Sequence, residues 1–191
     1  MRDSYTSQID SHNAIKALAG INCLISFGAN APSAWGKPPA TLCNSLSILE
    51  QNQVYIIARS LIYRTQPHFG AGLMSEFYNA VVAVHTTLPI GSLLRLFKSI
   101  ERKAGRRVRP RWSARPLDLD LVDYGSRILN WPGPNRAGGP LVLPHPLMHR
   151  RGFVLVPLVE IAPHWRHPVL GLTAGAMLKR NPGLRRGIAP A

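Results

Sequence analysis

Cysteine is scarce in this sequence, limited to Cys23 and Cys43. Two isolated thiols support neither a disulfide framework nor a zinc cluster. Both fall in segments that read as buried strand or helix, where a thiol serves as a small hydrophobe. Long apolar runs are also missing, and none approaches the roughly 20 residues that a membrane-spanning helix needs. The first twenty residues are mixed and polar (Asp3, Gln8, Asp10, His12, Asn13) and lack the apolar centre of a secretory signal. Residues 1–20 therefore read as a flexible N-terminal extension, and the expected address is cytoplasmic, with no membrane partner. The third scarcity is of acids: 9 Asp and Glu stand against 23 Lys and Arg, a formal net charge of +14. An excess of that size points to an anionic partner, either a polynucleotide or a small phosphate-rich ligand.

What is present is enough for one packed domain. The chain has 191 residues, 46% of them hydrophobic, which suits a single globular core. Ile21–Phe27 reads as a strand that ends at Gly28. Pro38-Pro39 followed by Leu42, Leu46 and Leu49 reads as a helix with proline in its first turn. Val54–Tyr63 and Phe77–Val84 are rich in β-branched and aromatic residues and read as strands around a Pro/Gly-containing loop. Ile90, Leu93, Leu94, Phe97, Ile100 and Ala104 recur at helical spacing and stop near Gly105. Leu117–Tyr124 and Leu141–Leu143 read as strands, and Arg151–Ile161 as a helix disturbed by Pro157. The order β-α-β-β-α-β predicts an α+β, ferredoxin-like domain, an antiparallel sheet with helices packed on one face. The domain is expected over 21–175, with 176–191 as a basic C-terminal tail.

The chemistry concentrates in Arg115-Pro116-Leu117-Asp118-Leu119-Asp120-Leu121. On a strand, the three leucines point one way and Asp118 and Asp120 the other. Two carboxylates about 7 Å apart on an open face suit one or two Mg²⁺ ions, which prefer carboxylates, water and phosphates. An ordinary solvated polar face has the same alternation. The arginines before it (Arg106, Arg107, Arg109, Arg111, Arg115) separate the two readings. A surface built only for nucleic acid gains nothing from carboxylates beside its arginines, whereas a metal-assisted phosphate site needs both signs together.

Arg111-Trp112-Ser113-Ala114-Arg115-Pro116-Leu117-Asp118-Leu119-Asp120 resembles the signature of the 6-hydroxymethyl-7,8-dihydropterin pyrophosphokinase family. A second block, Leu143-Pro144-His145-Pro146 through Arg151-Gly152-Phe153 to Glu160-Ile161-Ala162-Pro163, is similar to the same family. Shorter matches are Gly28-Ala29-Asn30, Tyr63-Arg64-Thr65 and Phe77-Tyr78-Asn79-Ala80-Val81, all in the family's order. The resemblance implies a ferredoxin-like fold and Mg²⁺-dependent pyrophosphoryl transfer from ATP to hydroxymethyl-dihydropterin. It implies two Mg²⁺ ions on Asp118 and Asp120, with Arg106, Arg115 and Asp120 catalytic. It puts Glu101, Arg111, Arg115, Leu121, His145 and Arg151 at the nucleotide. Thr65, Phe77, Asn79, Trp112 and Phe153 go to the pterin, with the two phenylalanines sandwiching its ring. The basic loop Gly105–Ala114 is expected to close over both substrates.

The resemblance has departures. Ala29 stands where a serine is common, and Trp112-Ser113-Ala114-Arg115 where Trp-Gly-Pro-Arg is usual. Val108 stands where a second loop arginine is expected. These alter the loop and leave the carboxylate pair intact. Two other readings fit parts of the sequence: a basic RNA-binding module on a ferredoxin-like sheet, and a relative that binds pterin or nucleotide without turnover. The strands lack the paired aromatics of RNA-binding sheets, so no nucleic acid and no obligate protein partner is expected.

Overall fold

The computed structural model describes residues 20–66, 75–107, 114–132 and 139–191. The expectations for the N-terminal extension, for Arg111 and Trp112, and for most of the basic loop lie outside these residues. Strands are β1 (Ile21–Ala29), β2 (Val54–Arg59), β3 (Tyr63–Thr65), β4 (Phe77–Thr86), β5 (Asp118–Tyr124) and β6 (Ile188–Pro190). Helices are α1 (Pro38–Glu50), α2 (Ile90–Lys103), α3 (Gly152–Ile161) and α4 (Ala174–Arg180).

The sheet runs β5-β1-β4-β3-β6, with β2 also paired to β4, and its pairings are antiparallel. With β2 and β3 taken as two halves of one strand, this is the ferredoxin-like order expected from the sequence. Alternation sorts the side chains. Cys23, Ile25, Phe27, Leu119, Leu121, Val82 and Val84 share a core with α1 and α2, whose Leu42, Leu49, Leu93, Phe97 and Ile100 are buried against them. Leu24, Val81 and Val122 face the other way and are covered by Val154, Leu155 and Leu158 of α3 and by Met177 and Leu178 of α4. Helices thus lie on both faces, not one. Val122 follows Leu121 into the opposite cluster by ordinary alternation, whereas Tyr124 returns to the α1–α2 core because the β1–β5 register shifts between Leu24 and Ile25, a bulge that resets the alternation.

Five local expectations change. Cys43, read as a buried thiol, is exposed, because it lies on the solvent side of α1. The run Val54–Tyr63 breaks at Ser60–Ile62 into β2 and β3. Leu141–Leu143 forms only an isolated bridge, Leu129 with Leu143. Pro157 does not disturb α3, which continues to Ile161, because at its sixth position proline forfeits one bond, to the Phe153 carbonyl. The presumed tail is structured: β6 pairs with β3, and the Gln66 amide donates to the Gly187 carbonyl at 3.2 Å. Gly152 makes that docking possible, since a Cβ there would sit 1.7 Å from the Leu184 carbonyl oxygen.

Candidate functional site

α3 and α4 cover only part of their face of the sheet, and the site lies on the part they leave open. One row of paired residues crosses four strands there: Asp118 on β5 faces Gly28 on β1, Gly28 faces Asn79 on β4, and Asn79 faces Tyr63 on β3. Residues opposite one another in an antiparallel ladder share a face. The row therefore has a carboxylate near one end, an amide about 10 Å away across two strand spacings, and no side chain between them. Gly28 keeps that floor low, because a Cβ there would come within 3.4 Å of Asn79 Oδ1.

The carboxylate end is a network of alternating charge. Asp118 Oδ2 accepts from Arg115 Nη1 at 2.5 Å, and Asp118 Oδ1 accepts from Arg106. The same Arg106 Nη1 donates to Glu101 Oε1 at 2.7 Å. Burial would raise the Asp118 carboxyl, but Arg106 and Arg115 override it and hold the group below its ordinary value. Burial likewise works against the Arg106 charge, and Asp118 and Glu101 outweigh it, pushing its pKa up. Glu101 is only 2% exposed. Its oxygens also accept from Lys98 Nζ at 2.9 Å and from the Leu119 amide at 3.0 Å. β5 is an edge strand, so this last bond caps a free-edge amide. Glu101 thus acts as the base under Arg106, a more structural position than the nucleotide contact expected from the sequence. Arg115 is anchored through its backbone: its amide donates to Asn30 Oδ1 at 2.6 Å, and its carbonyl accepts from the Asn30 amide at 3.0 Å.

Asp120 lies on the same face, opposite Ser26, and its Oδ2 is 3.5 Å from Arg151 Nη1. His145 is hung beside it, with its amide bonded to the Val122 carbonyl at 2.9 Å. His145 Nδ1 accepts from the Leu147 amide at 3.2 Å, which puts the ring proton on Nε2. Nε2 is 3.4 Å from Arg151 Nη1, so two donors stand side by side, an arrangement completed by an anion. Burial, then the charge of Arg151, pushes the His145 pKa down. The ring is therefore a neutral donor at neutral pH. Arg151 precedes α3 as its N-cap, and the positive end of a ten-residue helix adds to the attraction for anions.

At the amide end, Asn79 is 3% exposed and its Nδ2 donates to Thr65 Oγ1 at 2.9 Å. Thr65 faces Phe77 in the ladder, so Thr65, Phe77 and Asn79 form one surface. On the same side of the sheet, Phe153 in the first turn of α3 packs under the Arg151 guanidinium, whose carbon is 5.7 Å from the ring centre. The structure thus brings together Asp118, Asp120, Arg106, Arg115, His145 and Arg151 at one end and Thr65, Phe77 and Asn79 at the other, with Phe153 joined to the first group through Arg151. Leu121 does not join them. Its side chain is 5% exposed in the core on the opposite face, where the strand's alternation sends it. Asn30 and Lys98 join the site residues: Asn30 lies in the short match Gly28-Ala29-Asn30 with no role attached to it, and a lysine on a helix surface carries no pattern.

Among the described residues no three His, Cys, Asp or Glu come together as a metal site. The protein offers an all-oxygen pair, Asp118 and Asp120, beside donors for phosphate. That set fits Mg²⁺, which takes one or two carboxylates and draws its remaining ligands from phosphates and water.

Fold and site together define an α+β protein with a cluster of arginines and carboxylates at one end of an open sheet face and a buried amide at the other. Residues 24–163 match the family model of 7,8-dihydro-6-hydroxymethylpterin-pyrophosphokinase (HPPK). The chain is 33% identical to the 2-amino-4-hydroxy-6-hydroxymethyldihydropteridine pyrophosphokinase of Haemophilus influenzae, over 74% of this chain and 82% of that protein. It is also 33% identical to Folic acid synthesis protein FOL1 of Dictyostelium discoideum, over 88% of this chain but 24% of that much longer protein. Against the Synechocystis pyrophosphokinase the figures are 42% identity over 51% of this chain and 47% of the relative. A crystal structure of Plasmodium falciparum HPPK-DHPS with pteroate superposes with a TM-score of 0.66 over 90% of this chain and 48% of that one, at 14% identity. At that identity the likeness is one of fold. The chain belongs to the HPPK family.

Proposed function

We propose that this chain transfers a pyrophosphoryl group from ATP to 6-hydroxymethyl-7,8-dihydropterin, giving the diphosphate ester and AMP, a step of folate biosynthesis. The observation that carries this reading is the row Asp118–Gly28–Asn79. It has paired arginines at one end, an amide beside Phe77 at the other, and a floor without side chains between. The hydroxymethyl oxygen attacks the β-phosphorus in line, the bond from that phosphorus to the bridging oxygen of AMP breaks, and the hydroxyl proton is released.

The residues serve positioning and charge, as expected where a phosphoryl-type transfer needs no covalent nucleophile. Phe77 and Phe153 sandwich the ring, and Asn79, oriented by Thr65, pairs with its polar edge. Arg151 and the Nε2–H of His145 hold the nucleotide phosphates. Arg106 and Arg115 occupy both oxygens of Asp118. A triphosphate offers these arginines a more highly charged partner, and their move releases Asp118. Asp118 and Asp120 would hold two Mg²⁺ ions, which when bound neutralise the phosphate oxygens. Nucleotide and metal binding are therefore coupled through one carboxylate.

The test is to incubate the protein with ATP, Mg²⁺ and hydroxymethyl-dihydropterin and to follow AMP. AMP that appears only when the pterin is present supports transfer. Pterin binding with no AMP would leave a binding protein, and RNA binding with no AMP would overturn the enzyme reading.

A further inference from the structure

In the proposed pterin site, the two walls of the ring slot belong to separate parts of the chain. β3 and β4 supply Thr65, Asn79 and Phe77, and α3 supplies Phe153. Their separation has to match the thickness of a flat ring, so something must set the height of α3 above this edge of the sheet.

The break between β2 and β3 ties α3 to this edge. Arg59 pairs with Val82 and Tyr63 with Asn79, so Ser60, Leu61 and Ile62 stand opposite only Ala80 and Val81. The extra residue is accommodated by Ser60. Its amide donates to the Val81 carbonyl at 3.0 Å, and its hydroxyl accepts from the Val81 amide at 3.1 Å in place of a backbone carbonyl. The Leu61 amide is turned away from the ladder. It donates to Glu160 of α3, 3.1 Å from each carboxylate oxygen. Tyr63 resumes the strand opposite Asn79, and its phenol donates to Glu160 Oε2 at 3.0 Å.

Glu160 is the only charged residue in α3, whose sequence is GFVLVPLVEI. It follows Phe153 by seven residues, two turns and about 10 Å along the same side of the helix. One end of α3 thus carries the ring wall. The other is bonded to the strand that carries the opposite wall.

We propose that Glu160 and Tyr63 form a strut that fixes the width of the slot, making them positioning and specificity-determining residues for the flat aromatic substrate. This rests on reading the slot as the pterin site. The strut acts on that end directly and reaches the nucleotide end only through Arg151, which Asp120 and His145 also hold in place. Its partners lie in β3 and the loop before it, whereas Asp118 and Arg115 are held by Arg106, Glu101 and Asn30, two strands away.

The experiment compares Glu160→Ala, Glu160→Gln and Tyr63→Phe with wild type by pterin-dependent AMP release and by thermal melting. Glu160 is exposed, so its substitution leaves a folded protein. Glu160→Ala raises the KM for hydroxymethyl-dihydropterin about tenfold, the size of one charge-assisted hydrogen bond. The KM for ATP and the turnover at saturating pterin stay within about twofold of wild type. Glu160→Gln recovers part of the loss, because one carboxamide oxygen still accepts from the Leu61 amide. Tyr63→Phe gives a smaller rise of the same kind. A role confined to stability would lower melting and leave the pterin KM in place. Wild-type turnover with an unchanged pterin KM in Glu160→Ala, or equal rises for both substrates, overturns the strut alone. A wild-type protein that releases no AMP overturns the strut together with the functional reading.

Discussion

The two faces of β5 are made from adjacent residues and do opposite work. Leu117, Leu119 and Leu121 are buried in the core shared with α1 and α2. Asp118 and Asp120, interleaved with them, remain partly exposed among arginines. The leucine face is non-directional: its residues need volume and apolar contact, and any nearby substitution is felt as packing. The aspartate face depends on direction and charge. Asp118 holds two arginines while a buried Glu101 holds one of them from behind. One strand therefore separates stability from chemistry by parity alone, and substitutions on the two faces should fail in different ways.

The largest expected effect is on the charged face. Asp120→Asn should lower pterin-dependent AMP release by about two to three orders of magnitude, the scale seen when an electrostatic partner of the transferring group is removed. Its melting temperature should stay within a few degrees of wild type, because an exposed ion pair contributes about 1 kcal/mol or less. Asp118→Asn should behave alike in activity. Near-normal turnover in either variant would remove the carboxylate pair from the mechanism.

The next effect is on the apolar face. Leu119→Ala leaves a cavity in the core and should cost about 2–5 kcal/mol, a fall of roughly 10 °C in melting temperature. At temperatures where the variant is still folded, activity per folded molecule should be retained. If Leu119→Ala removed activity from a folded protein, the two faces would not be separable, and the parity argument would fail.

This parity is also what made the region legible from sequence. Alternation in Leu117–Leu121, the helical spacing of Ile90–Ala104 and the β-α-β-β-α-β order each follow from a local period, and each element is present. What escaped is what no period encodes. The run Val54–Tyr63 has the composition of one continuous strand, and only the pairing with β4 reveals the extra residue at Ser60–Ile62. β6 is three residues long and ends in proline, too short for any pattern, so its segment read as a tail. The second helical layer was missed because α3 is apolar almost all round and α4 has seven residues. Glu101 is placed at the nucleotide by the resemblance alone, since one acid on a helix carries no pattern. That its partners are Arg106, Lys98 and the Leu119 amide is a tertiary fact. The arginines and phenylalanines of the site became legible through resemblance, since alone each has an ordinary structural reading.

The smallest expected effect separates the two sides of the sheet by pH. The core on the α1–α2 side is chiefly aliphatic, whereas the α3 side adjoins buried imidazoles. His167 has no exposed surface. It packs edge-on against Trp131, His149 and Trp165, with ring centres 5.0, 6.3 and 6.0 Å away. Its Nδ1 accepts from the amides of Val169 and Leu170, both at 3.2 Å. Burial, then the neighbouring His149, pushes its pKa down from 6.5 to about 4. Between those values the unfolded chain binds a proton that the folded protein refuses. Stability is therefore full above pH 6.5, falls as the pH drops toward 4, and loses no more from this group below that. The total is at most about 3 kcal/mol. Asp118 works in a lower window, because its depressed carboxyl stabilises the fold above the ordinary carboxylate range and loses this only as the pH falls through its own lowered value. His167→Asn keeps an acceptor near Nδ1 for the two amides and removes the titration. Urea unfolding from pH 7 to 4.5 should show a steep loss of stability in wild type and a shallower one in His167→Asn. Leu119→Ala should lower the whole curve without changing its slope. Parallel curves for wild type and His167→Asn would show that acid sensitivity in this window does not come from the His167 cluster.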